Sequence, residues 1–254
     1  MTESGKMQSI HEIPESSWNK LSQKKIYFGH QSVGNNIIKG LEDILKENPQ
    51  IKLNIVETNN PADFSAPIFA HSHNGKNHDP ISKIDAFTDL MDRGTGDNAD
   101  IAFFKFCFVD ITANTDVQKV FAYYKSKMKY LKGKYPKTTL IHITVPLTTV
   151  QTGPKAIAKK LIGKPIDGYA DNLKRYEFNE FMRREYEGRE PLFDLAKIES
   201  TLKDGSNLII KENGKSFQTL VPEYTHDGGH LNETGRKIVA QSLLVFLTEL
   251  TEKK

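Results

Sequence analysis

Short apolar runs alternate with segments of helical spacing along this chain. Residues 25–28 (KIYF) predict a first strand. Residues 35–46 predict an amphipathic helix, with Ile37, Ile38, Leu41, Ile44 and Leu45 on one face. A second strand is expected over 52–57 (KLNIVE). Residues 59–80, rich in Asn, His, Pro and Gly, read as a long irregular stretch, and 84–91 as a helix. Residues 100–109 (DIAFFKFCFV) are almost continuously apolar, the pattern of a strand covered on both faces. A helix over 117–132 ends at Tyr135-Pro136, and a strand over 139–145 (TLIHITV) follows. A helix is expected over 172–186, a short strand over 192–195 (LFDL), and a closing helix over 233–250. Ile238, Leu243, Leu244, Phe246 and Leu247 give that last helix its apolar spacing.

Strands that alternate with helices predict an α/β fold, a three-layer α/β/α sandwich around a parallel sheet. Right-handed crossovers put the C-terminal ends of such strands on one edge, where these folds build their sites. The places to search are therefore just after Phe28, Glu57, Val109 and Val145. A length of 254 residues suits one large domain, expected over 21–254, behind a polar and poorly ordered segment at 1–20. No repeat or linker interrupts it.

Composition narrows the classes. An apolar fraction of 37% fills a core, and 26% charged residues make a polar surface. No run approaches the roughly 18 apolar residues that span a bilayer. A formal charge of +3 demands neither nucleic acid nor a membrane as partner. The single cysteine, Cys107, excludes an internal disulfide and leaves the compartment open. The opening MTESGKMQSI has no cationic start followed by an apolar stretch, so no signal peptide is visible. Secretion or a periplasmic location after removal of a leader stays compatible with that.

Two segments carry candidate chemistry. In "YFGHQSVGNNI" (27–37), Ser32 lies between the first strand and the first helix, flanked by Gly29 and Gly34. It suits an N-cap, or a nucleophile at the positive end of a helix. In "YTHDGGHLNETG" (224–235), Asp227 stands three residues before His230 across two glycines. A carboxylate so placed can hold imidazole Nδ1 and leave Nε2 to act as base on a serine. Asn232 or Thr234 would cap the helix beyond.

A serine after the first strand and D-x-x-H before the last helix resemble the SGNH/GDSL hydrolases, over roughly residues 24–250. "FNEFMRREY…PLFDLAKIES" (178–200) resembles the stretch that precedes the Asp-His block in many members. The resemblance implies a flavodoxin-like α/β/α sandwich and deacylation of esters, including acetyl groups on carbohydrates. It maps the nucleophile to Ser32, the acid to Asp227 and the base to His230, with no cofactor and a small-molecule or carbohydrate ester as substrate. Two blocks depart from the pattern. Gly29-His30-Gln31-Ser32 is one residue longer than G-D-S and lacks its aspartate. Cys107-Phe108-Val109-Asp110 keeps the aspartate of G-x-N-D but has valine for the asparagine that donates to the oxyanion. Losing one such donor costs on the order of a hundredfold in rate.

Replacement groups for the oxyanion or substrate are Lys105 in the apolar run, Asn74 and Gly75 in the long loop, Asn77, and the Ser32 amide. Gln31 and Asp110 complete the candidate set. Gly75 is the counterpart of the family's second-block glycine. Lys105 reads equally as half of a structural ion pair with Asp110 or another carboxylate. His71, His73 and His78 with Asp79 are zinc-binding types, but their spacing matches no established zinc motif, so no metal is assigned. His30 is expected to be structural or substrate-contacting, and His142 and His226 accessory. Residues 148–168, with Lys155, Lys159, Lys160 and Lys164, are long enough to wall the site.

Three readings emerge. The first is a serine esterase of SGNH type. The second is a binding protein that keeps the fold with little catalysis. The third is a metal-dependent hydrolase built on the loop histidines.

Overall fold

A computed structural model describes residues 9–212 and 214–252. Six strands form one sheet: β1 (Lys25–His30), β2 (Ile55–Glu57), β3 (Ile68–His73), β4 (Ile101–Phe104), β5 (Thr139–Ile143) and β6 (Leu192–Phe193). Their spatial order is β2-β3-β1-β4-β5-β6, and every neighbouring pair is parallel. With the edge strand β2 set aside, the other five follow the flavodoxin-like order. A hairpin of β7 (Ile209–Glu212) and β8 (Lys215–Gln218) stands apart. The helices are α1 (Glu15–Ser22), α2 (Val33–Glu47), α3 (Pro80–Leu90), the single turn α4 (Gly96–Asn98), α5 (Val117–Lys134), α6 (Gly153–Leu161), α7 (Tyr169–Tyr186), α8 (Leu195–Ser200) and α9 (Glu233–Glu252).

Period-two alternation along the strands sorts the core into two halves. Ile26, Phe28, Phe103, Ile141 and Ile143 face α1, α2 and α9, where Trp18, Leu21, Ile37, Leu41, Leu243 and Leu247 are buried. Tyr27, Ala102, Phe104 and Leu140 face the other way, onto Phe87 of α3, Tyr124 and Leu131 of α5, and Phe178 of α7. The result is the three-layer sandwich expected from the strand–helix alternation. Local signals set the helix bounds. The Asn48 side chain donates to Ile44 O (2.8 Å) at the end of α2, just before Pro49. Asp79 caps α3 by accepting from Ser82 N (3.0 Å), with Pro80 in the first turn.

The structure corrects three expectations. Residues 68–73, inside the stretch read as irregular, are β3, next to β1 at the centre of the sheet. The polar residues that hid it are satisfied by neighbours: Ser72 Oγ meets the Tyr27 hydroxyl at 2.8 Å, and His71 meets His30. The apolar run 100–109 is strand only to Phe104. Asp110 Oδ2 then accepts from Cys107 N (2.6 Å) and winds 108–110 into a 3-10 turn. Of the segment 1–20, residues 1–8 lie outside the described residues. The remainder is not loose, because Ile10 and Trp18 are buried and α1 packs on α9.

Gly40 sets how closely α2 and α9 approach. A Cβ there would lie 2.4 Å from Arg236 O and 2.9 Å from Ala240 Cβ. Gly40→Ala is therefore expected to lose about 1–3 kcal/mol by overpacking, despite the better helix propensity of alanine. Urea denaturation of the two proteins checks this; an unchanged or higher midpoint would show that the helices separate at no cost.

Candidate active site

Both sequence segments converge at the C-terminal edge of the sheet. Ser32 sits at the N-cap position of α2 with φ 54° and ψ −109°, outside the usual range of an L-residue. Its hydroxyl makes no capping hydrogen bond. Instead Ser32 Oγ lies 2.6 Å from His230 Nε2. His230 Nδ1 lies 2.6 Å from Asp227 Oδ2. The other carboxylate oxygen, Oδ1, accepts from Gly229 N (2.9 Å), His230 N (2.8 Å) and the Thr225 hydroxyl (3.2 Å). Burial alone would raise the Asp227 carboxyl. The bonds from Gly229 and His230 outweigh it and hold the group well below the usual carboxylate range. An ionised Asp227 fixes the His230 tautomer with its proton on Nδ1, leaving the Nε2 lone pair toward Ser32.

Local sequence explains how the Asp-His loop holds its shape. Gly228 takes φ 88°, and a Cβ on Gly229 would lie 2.9 Å from the Phe108 ring. That ring meets the His230 imidazole edge-on, with centroids 5.4 Å apart. Leu231 N donates to Asn36 Oδ1 (3.2 Å), tying the loop to the first turn of α2. Asn232 caps α9 by accepting from Gly235 N (3.0 Å). Phe108, Asn36 and Thr225 carry no motif, so nothing in the sequence singled them out.

The remaining candidates fall into place around the serine turn. Gln31 Nε2 donates to Gly75 O and reaches Asn74 O at 3.5 Å. The 74–75 backbone is thereby held beside the turn, and Asn74 N also donates to His30 O (3.0 Å). Gly75 has φ 63°, and a Cβ there would lie 2.6 Å from Lys83 backbone, so this position needs glycine. The Asn74 side chain is not turned to the site: it is buried, and Nδ2 donates to Lys83 O (2.9 Å). Asn77 Oδ1 accepts from Lys83 Nζ (2.9 Å).

Lys105 is fully buried, as is Asp110, but the two are not an ion pair. Lys105 Nζ donates to Phe106 O (3.0 Å) and lies 3.7 Å from Cys107 Sγ. Asp110 pairs with Lys83 at 2.7 Å, and its Oδ1 accepts from His78 N (2.9 Å). Burial lowers the Lys105 ammonium. Neither side chain reaches the serine through these bonds, so both serve to fix the loops that do.

The histidines separate by role. His30 is buried, its Nε2 is 3.1 Å from His71 Nδ1, and burial, then the positive Lys105, pushes it down to about 2. It stays neutral at ordinary pH. A Cβ on Gly34 would lie 2.3 Å from the His30 side chain, which accounts for that glycine. Among the described residues no group of three or more His, Cys, Asp or Glu side chains forms a metal-binding set. His142 stacks on Tyr186 and accepts or donates at Tyr124 (2.8 Å), away from the serine. His226 is an exposed partner of Glu233.

No family model matches the chain, and no curated protein does. Solved structures do. One is a protein from Streptococcus pneumonia provisionally named a platelet activating factor, with TM-score 0.51 and 15% identity over 92% of this chain and 90% of its own. The likeness is of fold, an α/β/α sandwich around a parallel sheet. Other structures similar to this chain include a peptidoglycan O-acetylesterase (TM-score 0.48, 14% identity, 74% of this chain and 48% of that one). Another is a provisionally named GDSL-like lipase from Parabacteroides merdae ATCC 43184 (TM-score 0.41, 13% identity, 92% and 99%). At such identities the likeness is one of fold, and the chain is a divergent example of it.

One buried acid below the site gives a pH dependence. Glu199 Oε2 accepts from Leu147 N (2.6 Å), while buried Oε1 has no partner. Burial pushes the carboxyl up to about 8, against the Leu147 bond and the charges of Lys105 and Arg175. The folded state thus keeps a proton that the unfolded chain releases near the ordinary carboxylate range. Stability from this group is present at low pH and is lost as pH rises toward 8, by up to about 1.4 kcal/mol per unit. Chemical denaturation from about pH 7 to about pH 8, above the range in which the histidines of the unfolded chain titrate against buried His30 and His142, should show this downward slope, and Glu199→Gln should flatten it. Equal slopes in the two proteins would assign the proton elsewhere.

Proposed function

We propose that the protein is a serine esterase that removes an acyl group through Ser32, His230 and Asp227. The observation that carries this reading is the serine itself. A strained serine without a capping bond, 2.6 Å from an imidazole nitrogen whose other nitrogen is on a carboxylate, is arranged for nucleophilic attack.

Ser32 Oγ attacks the ester carbonyl while His230 Nε2 takes its proton. Asp227 stays ionised and stabilises the imidazolium. The developing oxyanion is received by the Ser32 N–H, at the positive end of α2, and by the Gly75 N–H. His230 then protonates the leaving alcohol. Water, activated by the same imidazole, attacks the acyl-serine and releases the acid. Gln31 braces the chain on both sides of that N–H, donating to Gly75 O and reaching Asn74 O at 3.5 Å. An acetyl ester on a carbohydrate is the substrate class that the family resemblance favours.

One observation favours a second reading, a binding protein of low catalytic power. Val109 stands where a donor is expected, and the Asn74 amide is spent on Lys83 O. Turnover of p-nitrophenyl acetate separates the two. Wild type should exceed Ser32→Ala and His230→Ala by about a thousandfold or more in kcat, and Asp227→Asn by about a hundredfold or more. Equal rates in wild type and a folded Ser32→Ala protein would remove the serine mechanism.

A further inference from the structure

The segment between β5 and α7 holds what the esterase chemistry does not use. Residues 148–168 carry four lysines, Lys155, Lys159, Lys160 and Lys164, against one acid, Asp167. That balance of +3 equals the formal charge of the whole chain, so the rest of the protein is neutral overall. A modest average charge therefore conceals one concentrated basic element, which changes the reading of the charge as uninformative about partners.

The same element bears the most exposed apolar side chains. Ile157 is 62% exposed, Leu161 82% and Ile162 66%. Among the described residues, the other exposed large hydrophobics, Tyr130 at 45% and Ile209 at 44%, are less exposed. Ile157 and Leu161 are four residues apart on α6 and share a face. Ala156 is the buried contact that seats the helix. Lys155 and Lys159 are likewise four apart, on the opposite face of the helix, and Lys159 is paired with Asp167 at 2.8 Å. Leaving three aliphatic side chains in water costs free energy that burial would recover. An outward apolar face with lysines on the other side of the helix matches an anionic surface with an apolar interior, in which aliphatic groups sink while ammonium groups stay at the headgroups.

We infer that α6 docks the protein on an anionic lipid surface, with Ile157, Leu161 and Ile162 inserted and the lysines at the headgroup level. No helix of the described residues is long and apolar enough to cross a membrane, so this is interfacial attachment. The element is also coupled to the site. Thr149 N donates to Gly228 O (2.8 Å), inside the Asp227–His230 loop, and a Cβ on Gly228 would lie 2.9 Å from Thr149 Oγ1. Docking through α6 would set the serine turn close to the interface, where an amphiphilic ester would be met. The docking does not require that Ser32 react.

Co-sedimentation with vesicles tests this, using Ser32→Ala protein so that binding is read apart from turnover. The probes are vesicles of phosphatidylcholine alone and of phosphatidylcholine with phosphatidylglycerol. Binding should appear on the mixed vesicles, stay at least tenfold weaker on the neutral ones, and fall as salt rises. Ile157→Ser/Leu161→Ser/Ile162→Ser should weaken binding at least tenfold. Lys155→Ala/Lys164→Ala should do so on the order of tenfold, from loss of about one headgroup attraction per lysine. Three results would overturn the inference. The first is no binding to either vesicle. The second is binding that salt abolishes but the serine substitutions leave unchanged, which would mark a soluble polyanion. The third is a dimer in sedimentation velocity that the serine substitutions dissolve in the absence of vesicle binding.

Discussion

Ser32 holds φ 54° and ψ −109° because three pieces of chain close on it. A serine left to itself would not stay there, since such a conformation costs about 1–3 kcal/mol. On one side Gln31 binds the Gly75 carbonyl, and its own carbonyl lies 3.5 Å from Cys107 Sγ. Behind it the His30 ring fills the space that only Gly34 leaves open. On the far side Leu231 N holds Asn36 in the first turn of α2. The strain is stored where the serine hydroxyl must project, and the clamps lie on elements that the parallel sheet aligns.

Buried charge makes those clamps rigid. The Lys83–Asp110 pair joins α3 to the turn after β4, with both side chains out of solvent. Asp110 also accepts from Cys107 N and His78 N, so the turn after β4, the loop at His78 and helix α3 meet at one carboxylate. Arg175 adds a second tie: its Nε donates to Phe108 O (2.9 Å) and Ile111 O (3.1 Å). Phe108 in turn packs edge-on to His230. Removing one member of such a set leaves the other charge stranded, which is why the cost of single deletions exceeds the worth of the bond. Asp110 thus acts on the turn at Cys107 and the loop at His78, without touching the serine or the histidine.

Much of this was legible in the residues. The alternation of strands and helices gave the layers, since 25–28 and 139–145 had unambiguous apolar patterns. The pairing of Asp227 with His230 came from their spacing, and Ser32 as nucleophile from the family resemblance that the two segments carry together. Other features were not legible. β3 escaped because His71, Ser72 and His73 look like loop residues until His30 and Tyr27 are placed beside them. The partner of Asp110 escaped because Lys83 stands on a different element, 27 positions earlier, with no local sign of burial. The Asn74 amide looked available because its acceptor, Lys83 O, is set by the fold. The concentration of charge on α6 could be counted from the sequence, but the outward direction of its aliphatic residues could not.

The central claim is that Ser32 is a nucleophile raised in reactivity by His230. Covalent labelling with a fluorophosphonate, followed by intact-mass and peptide mass spectrometry, addresses it most directly. The account predicts one adduct per chain, mapped to Ser32, formed far more slowly in His230→Ala. An adduct on another residue, or none on a folded protein under conditions that label a known serine esterase, would contradict it.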